Sequence, residues 1–526
     1  MAHRSAAPGL SAPAASARPA SAEPGLLQRL VPPMPGNVAW GWAGPLLVTL
    51  FGAFLRFDHL SVPRGLVFDE VYYVPDAWSI LKHGVEINHA HNVSALLARG
   101  DTHILLGTQA EVIAHPPLGK IMMAVGEWLF GLTPFGWRFS VALVGTLSIL
   151  MLARIVRRMT RSTLLGCVAG LLMALDGLEI VLSRTAILDI FVMFWVLAAF
   201  GLIVIDRDRT RARLAADTGT DERGPRLGAR WPLIAAGACL GAATACKWNG
   251  VWFIFAFAGL VIAWDLGARR AAGYPSRLAG VLRSDAGWFP VWFAVVPAVV
   301  YTASWTGWFV SPYGYNRNGA ALNNGHPTST IAAWLAENRS MWDFGVTLTS
   351  TPKQEPYMSD PLGWLVLARP IALSYGAPAR RCGASSCSQE VLAIGTPLIW
   401  WGATAALIFC LGWWMLRRDW RPGATLLAVA AGWLPWIWFY LHDQRTEFYY
   451  YAIAFEPFLI IAVTLCLGLI IGPERASPGR RTAGAVLSGT YLLAVLLNLA
   501  YLYPVLAARI IPYSSWLSRM WFHTWI

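Results

Sequence analysis

The sequence predicts an all-α, polytopic membrane protein with about eleven transmembrane helices and two long extracytoplasmic loops. Three observations carry that prediction. First, hydrophobic residues are 56% of the 526, charged residues are 13%, and mean hydropathy is +0.49. Soluble domains hold about 25% charged residues, so no soluble fold would hide this much apolar surface. Second, apolar runs of spanning length recur along the chain. Third, Lys and Arg collect in alternate connections. The segments assigned to the cytoplasm hold 24 of them in about 110 residues, and the outside segments about 15 in about 205. That asymmetry fixes orientation, with the N-terminus inside and, after eleven crossings, the C-terminus outside. The net charge of +12 therefore reports topology, not a nucleic-acid partner, and the 28 Trp and 16 Tyr suit membrane interfaces.

Residues 1–37, rich in Ala, Pro and Ser, read as a disordered cytoplasmic tail with no signal-peptide core. The membrane domain covers 38–503. Its spans fall near 40–57, 137–156, 163–182, 188–205, 231–246, 248–265, 288–308, 393–416, 424–441, 451–471 and 483–503. The first outside loop, 58–136, predicts a helix over 69–83, with Gly84 as its stop and Pro75 starting or kinking it. The stretch LGKIMMAVGEWLFGL, 118–132, suits a helix lying at the membrane surface. The second outside loop is 309–392, and residues 504–526 form an extracytoplasmic end. The cysteines follow no metal-ligand pattern. Cys382 and Cys387, in the polar stretch CGASSC, are a local disulfide or two free thiols.

Ionisable residues near membrane segments default to functional hypotheses, and here they concentrate toward the outer side. They are Asp69, Glu70, His115, Lys120, Arg138, Arg184, Asp189, Lys247 and Arg445. Cations there would hold an anionic head group, and a carboxylate would act as general base on an incoming hydroxyl. With no P-loop, and outside the cytoplasm, a polyprenyl-phosphate sugar is the natural donor.

Six segments also carry a resemblance: FDEVYY after the first span, IAHPPLGK (113–120), WRFSVAL (137–143), LSRTAILD (182–189), CKWNG (246–250) and RTEFYYYAIAFEPF (445–458). In this order the chain resembles the protein O-mannosyltransferase family over about 44–503. The resemblance implies a GT-C-like fold and the bacterial branch, because the 309–392 loop is too short for the β-trefoil (MIR) insertion of eukaryotic members, and the Ala/Arg/Trp-rich composition suits its actinobacterial members. It implies transfer of mannose from polyprenyl-phosphate-mannose to Ser/Thr hydroxyls of secreted or translocating proteins, near the translocon, at the outer face of the bacterial plasma membrane. The stereochemistry would invert, which fits one direct displacement. No cofactor is required, and dependence on a divalent metal is left open. A glycolipid or cell-wall glycan acceptor is the alternative; a transporter fits less well, for lack of an inverted repeat.

Each residue has a functional and a plainer reading. Asp69 is the expected base and Glu70 an orienting partner, or the two simply cap a helix N-terminus. Lys247 is the first choice for the donor phosphate, or it snorkels to the interface. Arg138 and Arg445 bind phosphate or anchor their helices. Arg184 and Asp189, five apart, pair with each other or line the site. His115 positions Asp69, meets the acceptor or is a loop residue, and Lys120 binds substrate or reaches the head groups.

Overall fold

In the computed structural model, residues 25–317, 329–351 and 353–526 are described. Seven helices are long and apolar enough to cross a membrane: Val38–Phe57, Pro134–Thr160, Asp189–Ala216, Trp248–Ala272, Pro397–Arg417, Trp420–Asp443 and Pro478–Leu506. Four shorter apolar helices, Thr163–Ala174, Trp231–Cys246, Val291–Ser304 and Glu456–Ile471, stand where four more spans are expected. They are short because the chain is interrupted. Asp176 ends one helix and caps the next, Gly177–Leu182, by accepting from the amides of Leu178 and Glu179. Lys247 is extended (φ −160°, ψ 140°) between Trp231–Cys246 and the turn that starts the following helix.

The core runs through the middle of the bundle. Asp189–Ala216 is its axis: Ile190, Phe191, Val192, Met193, Val196 and Leu197 are all fully buried. The peripheral helices Val38–Phe57 and Pro478–Leu506 expose Leu46, Leu47, Leu50, Phe54, Val486, Leu487 and Leu497, as suits contact with lipid.

The extracytoplasmic part departs from an all-α description. A two-stranded hairpin joins Ile87–His89 to Leu105–Ala110. A three-stranded antiparallel sheet is ordered Ile371–Gly376, Cys387–Ala393, Ile511–Pro512. The 504–526 end is thus built into the second loop, where the Trp516 indole donates to Glu390 and Arg369 holds the carbonyls of Thr524 and Ile526. The Cys382–Cys387 disulfide is formed at the tip of the hairpin between the first two of these strands. Of the expected tail, 1–24 lie outside the described residues; in the remainder, Leu26–Leu30 is helical and buries Leu30.

In the first loop, Glu70–His83 is helical, contains Pro75, and ends on Gly84 at φ 80°. Leu118–Phe130 has two faces. Lys120, Met123, Ala124, Gly126 and Glu127 are buried, whereas Val125, Trp128, Leu129 and Phe130 are exposed. That division fits a helix lying in the interface.

Candidate active site

The adjacent acids Asp69 and Glu70 part company. Glu70 is fully buried and meets Arg138, also fully buried, in a bidentate pair: Nε to Oε1 and Nη2 to Oε2, both 2.8 Å. Its two oxygens also accept from the amides of Val67 and Ala186, each at 2.9 Å. Arg138 sends its other three N–H groups to the carbonyls of Leu60, Pro63 and Gly65. All five guanidinium donors are taken. This pair ties the loop after Val38–Phe57 to the start of Pro134–Thr160. It leaves no donor for a phosphate and no carboxylate edge for a substrate, which fits the anchoring alternative for Arg138 and corrects the expectation that Glu70 shares the catalytic contact with Asp69.

Asp69 sits at the N-terminus of the same helix yet makes no cap bond. Its Oδ2 instead accepts from the hydroxyls of Tyr73 (3.4 Å) and Tyr450 (3.3 Å). Burial raises its pKa to about 6; Lys247 pulls it down, Asp189 pushes it up, and the two phenols pull it down. A carboxylate with that pKa is ionised at neutral pH and basic enough to take a proton. The residue before it, Phe68, holds φ 47°, rare for an aromatic, and packs edge-on against Phe448 and Tyr450. Backbone strain of this kind collects at functional sites.

Lys247 donates to both oxygens of Asp189, at 3.1 and 2.9 Å, and lies 4.2 Å from the ring centre of Tyr451. An ammonium has three donors, so one remains. Gly250 makes this corner possible: a Cβ there would stand 2.6 Å from the Thr244 amide. The expected Arg184–Asp189 pair is absent. Arg184 holds the carbonyls of Leu55, Arg56, Asp58 and His59, closing the C-terminal end of Val38–Phe57.

Lys247, His115 and Arg445 meet on one cavity, with about 650 Å³ of empty space including its mouth. That is within the range of small-molecule sites, about 300–1,000 Å³. Trp248, Trp252, Trp342, Trp436 and Phe439 supply its apolar walls. Arg445 is held by the Gly345 and Thr446 carbonyls and lies over Trp436. His115 packs beside Tyr73, and burial plus the charges of Lys247, Lys120 and Arg445 push its pKa well down, so the imidazole is neutral. Asp69 stands one side chain behind this wall, reached through Tyr73 and Tyr450. Lys120 does not reach the cavity or the head groups: it is buried between Asp76 (3.3 Å) and Glu86 (2.6 Å). Burial lifts Asp76 to about 7, even with Lys120 opposing.

Sequence reasoning missed Tyr73 and gave no individual role to Asn249 or to Tyr450 and Tyr451, whose aromatic run, Phe448–Tyr451, reads from the sequence only as a lining for the isoprenoid or the sugar. Tyr73 carried a signal, since it lies four residues after Asp69 on one helix face. Tyr450 lies in the quoted RTEFYYYAIAFEPF segment, but nothing there announces its contact with Asp69, 381 residues away. Asn249, in the quoted KWNG, lines the cavity, and both of its buried amide atoms lack a partner among the described residues. A buried amide left open this way is a place for a polar ligand. Among the described residues, no group of three or more His, Cys, Asp or Glu is arranged to hold a metal ion.

Residues 46–303 match the family described as dolichyl-phosphate-mannose-protein mannosyltransferase, and 330–525 match the C-terminal four-helix membrane region of protein O-mannosyltransferases. The chain belongs to the protein O-mannosyltransferase family. It is 36% identical to the polyprenol-phosphate-mannose–protein mannosyltransferase of Mycolicibacterium smegmatis, over 93% of this chain and 94% of that one. It is 32% identical to the protein of the same description from Corynebacterium glutamicum, over 95% and 97%. The fold is similar to that of a chain in the Saccharomyces cerevisiae Pmt1-Pmt2 complex bound to its sugar donor, with a TM-score of 0.67 at 15% identity and 92% of each chain covered.

Proposed function

We propose that this protein transfers mannose from polyprenyl-phosphate-mannose to Ser or Thr hydroxyls of secreted polypeptides, with inversion, at the extracytoplasmic membrane face. Asp69 takes the hydroxyl proton. The oxygen attacks the anomeric carbon, the bond from that carbon to the phosphate oxygen breaks, and the polyprenyl phosphate leaves with the electron pair. Lys247 and Arg445 receive that charge, Asn249 contacts the sugar phosphate, and the neutral His115 borders the acceptor. The mechanism calls for no metal. The chain crosses the membrane eleven times, the four shorter helices included, with the N-terminus cytoplasmic, the C-terminus outside, and acceptors met as they leave the translocon.

One observation carries this reading. A largely buried carboxylate with a pKa of about 6 stands one side chain behind a cation-lined cavity whose lysine keeps an unused donor. The relatives' descriptions supply the donor and the acceptor class. The test is transfer of radiolabelled mannose from polyprenyl-phosphate-mannose to a Ser/Thr-rich peptide in membranes carrying wild type or Asp69→Asn. Transfer that collapses in Asp69→Asn supports the reading. Near-normal transfer refutes the base, and label found only in lipid or glycan refutes the protein acceptor.

A further inference from the structure

At the other end of the bundle, two helices form a groove that the transfer reaction does not use. Met151, Arg154, Ile155 and Arg158 recur at helical spacing along one face of Pro134–Thr160. Ala198, Gly201, Leu202 and Ile205 do the same on Asp189–Ala216. The faces meet at Gly201, where a Cβ would stand 2.9 Å from Ile155. They then diverge around about 890 Å³ of open space. Asp189 marks the catalytic end, so Ile205 lies roughly 24 Å further along the axis at 1.5 Å per residue.

The chemistry of the groove changes along its length. Toward the bundle centre the walls are Met151, Ala198 and Leu202. Toward the end they carry Arg154 and Arg158, with Arg157, Arg161, Arg207 and Arg211 close by. Asp208 pairs with three of these six guanidiniums, Arg158 at 2.9 Å, Arg161 at 2.8 Å and Arg207 at 3.5 Å, while Arg154 donates to the Gly41 carbonyl and lies over the Trp42 ring, and Arg157 donates to the Thr163 hydroxyl. Nearby Asp206 pairs with Arg230, and Asp419 pairs with Arg421 while also facing Arg207, so the six arginines still outnumber the carboxylates that answer them. The Nε groups of Arg207 and Arg211 are buried without a partner among the described residues. The segment before the first long helix closes one side: Met34 lines the groove, and the Pro35 carbonyl accepts from Arg157.

We infer that this groove binds one anionic glycerophospholipid in the leaflet opposite the catalytic cavity. Its phosphate would lie against Arg154 and Arg158, and an acyl chain along Ala198, Gly201 and Leu202. Scattered arginines are enough to set topology. A paired groove with apolar depth and a cationic mouth matches a lipid better, since basic pockets between membrane helices bind anionic head groups. The excess of cations over carboxylates selects an anionic lipid over a zwitterionic one.

The experiment counts lipids on the purified, delipidated full chain by native mass spectrometry after adding phosphatidylglycerol, phosphatidylcholine or inorganic phosphate. Phosphatidylglycerol is expected to bind at one site per chain, to outbind phosphatidylcholine, and to resist displacement by phosphate. Arg154→Gln should bind about tenfold less, the scale of one charge-assisted hydrogen bond. Leu202→Trp, which fills the groove and keeps every charge, should lose the lipid as well, and it decides the matter if Arg154→Gln does not fold. Equal retention of phosphatidylcholine, displacement by phosphate alone, or full retention by Leu202→Trp each overturns the site.

Discussion

Two buried ion pairs flank the active site, and they differ in what they leave free. In Arg138–Glu70 both side chains are completely buried, and every donor and acceptor is matched within the protein. In Lys247–Asp189 the lysine lies on a cavity wall and keeps one donor. The charges are alike; the geometry is not. A saturated pair holds the fold, whereas an unsaturated one at a cavity can hold a ligand. The same distinction separates the neighbours Asp69 and Glu70.

Breaking the saturated pair gives the largest effect. Arg138→Met strands a buried carboxylate, and truncating one partner of such a pair costs about 3–5 kcal/mol. The expected outcome is a large fall in thermal stability in detergent, with transfer lost because the protein is lost. Asp69→Asn comes next and has the opposite signature. Transfer should fall by about 10²–10⁴-fold, the usual weight of a general base, with the thermal midpoint nearly unchanged. A parallel fall in stability would move Asp69 into the same class as Glu70.

The unsaturated pair is tested with Lys247→Met combined with Asp189→Leu. Replacing a buried pair by apolar groups is often neutral for stability. The double variant should therefore fold while losing donor use, read as a raised KM for the lipid-linked sugar or as no transfer. Retained transfer would remove Lys247 from the phosphate site. A smaller effect is expected from Tyr450→Phe, which deletes one phenol bond to Asp69. At roughly 0.5–1.5 kcal/mol, transfer should drop several-fold.

The pH profile sharpens the comparison further. Asp69 has a pKa of about 6 and acts ionised, so kcat/KM should rise through that pH and level off above it. The Tyr450 bond favours the charged carboxylate, so its loss should move the acid limb to higher pH. An unmoved limb in Tyr450→Phe would mean that another group controls it.

Much of this was legible in the chain. The positions of the membrane helices follow from apolar length and basic asymmetry, because lipid imposes both on local sequence. Gly84 announced the end of its helix, and FDEVYY, HPPLGK and KWNG marked the segments that build the site. What each charge does was not legible. Arg184 and Asp189 are close in sequence and do not pair; Lys247 reaches Asp189 across 58 residues, and Arg138 reaches Glu70 across 68. Tyr450 comes to Asp69 from the far end of the chain. Lys120, expected to bind substrate or reach the head groups, is buried against Asp76 and Glu86, which periodicity does not reveal.

The sequence by itself determined a membrane-embedded helical protein with its ionisable residues toward one side, because solvation by lipid acts residue by residue along the chain, and its motifs carried the family resemblance. Only the tertiary structure decided that Asp69 meets two phenols while Glu70 is locked by Arg138, and that Lys247 faces a cavity while Arg138 does not. Those outcomes depend on which distant atoms fill the remaining hydrogen-bonding sites of each charge, and that is settled when the helices pack.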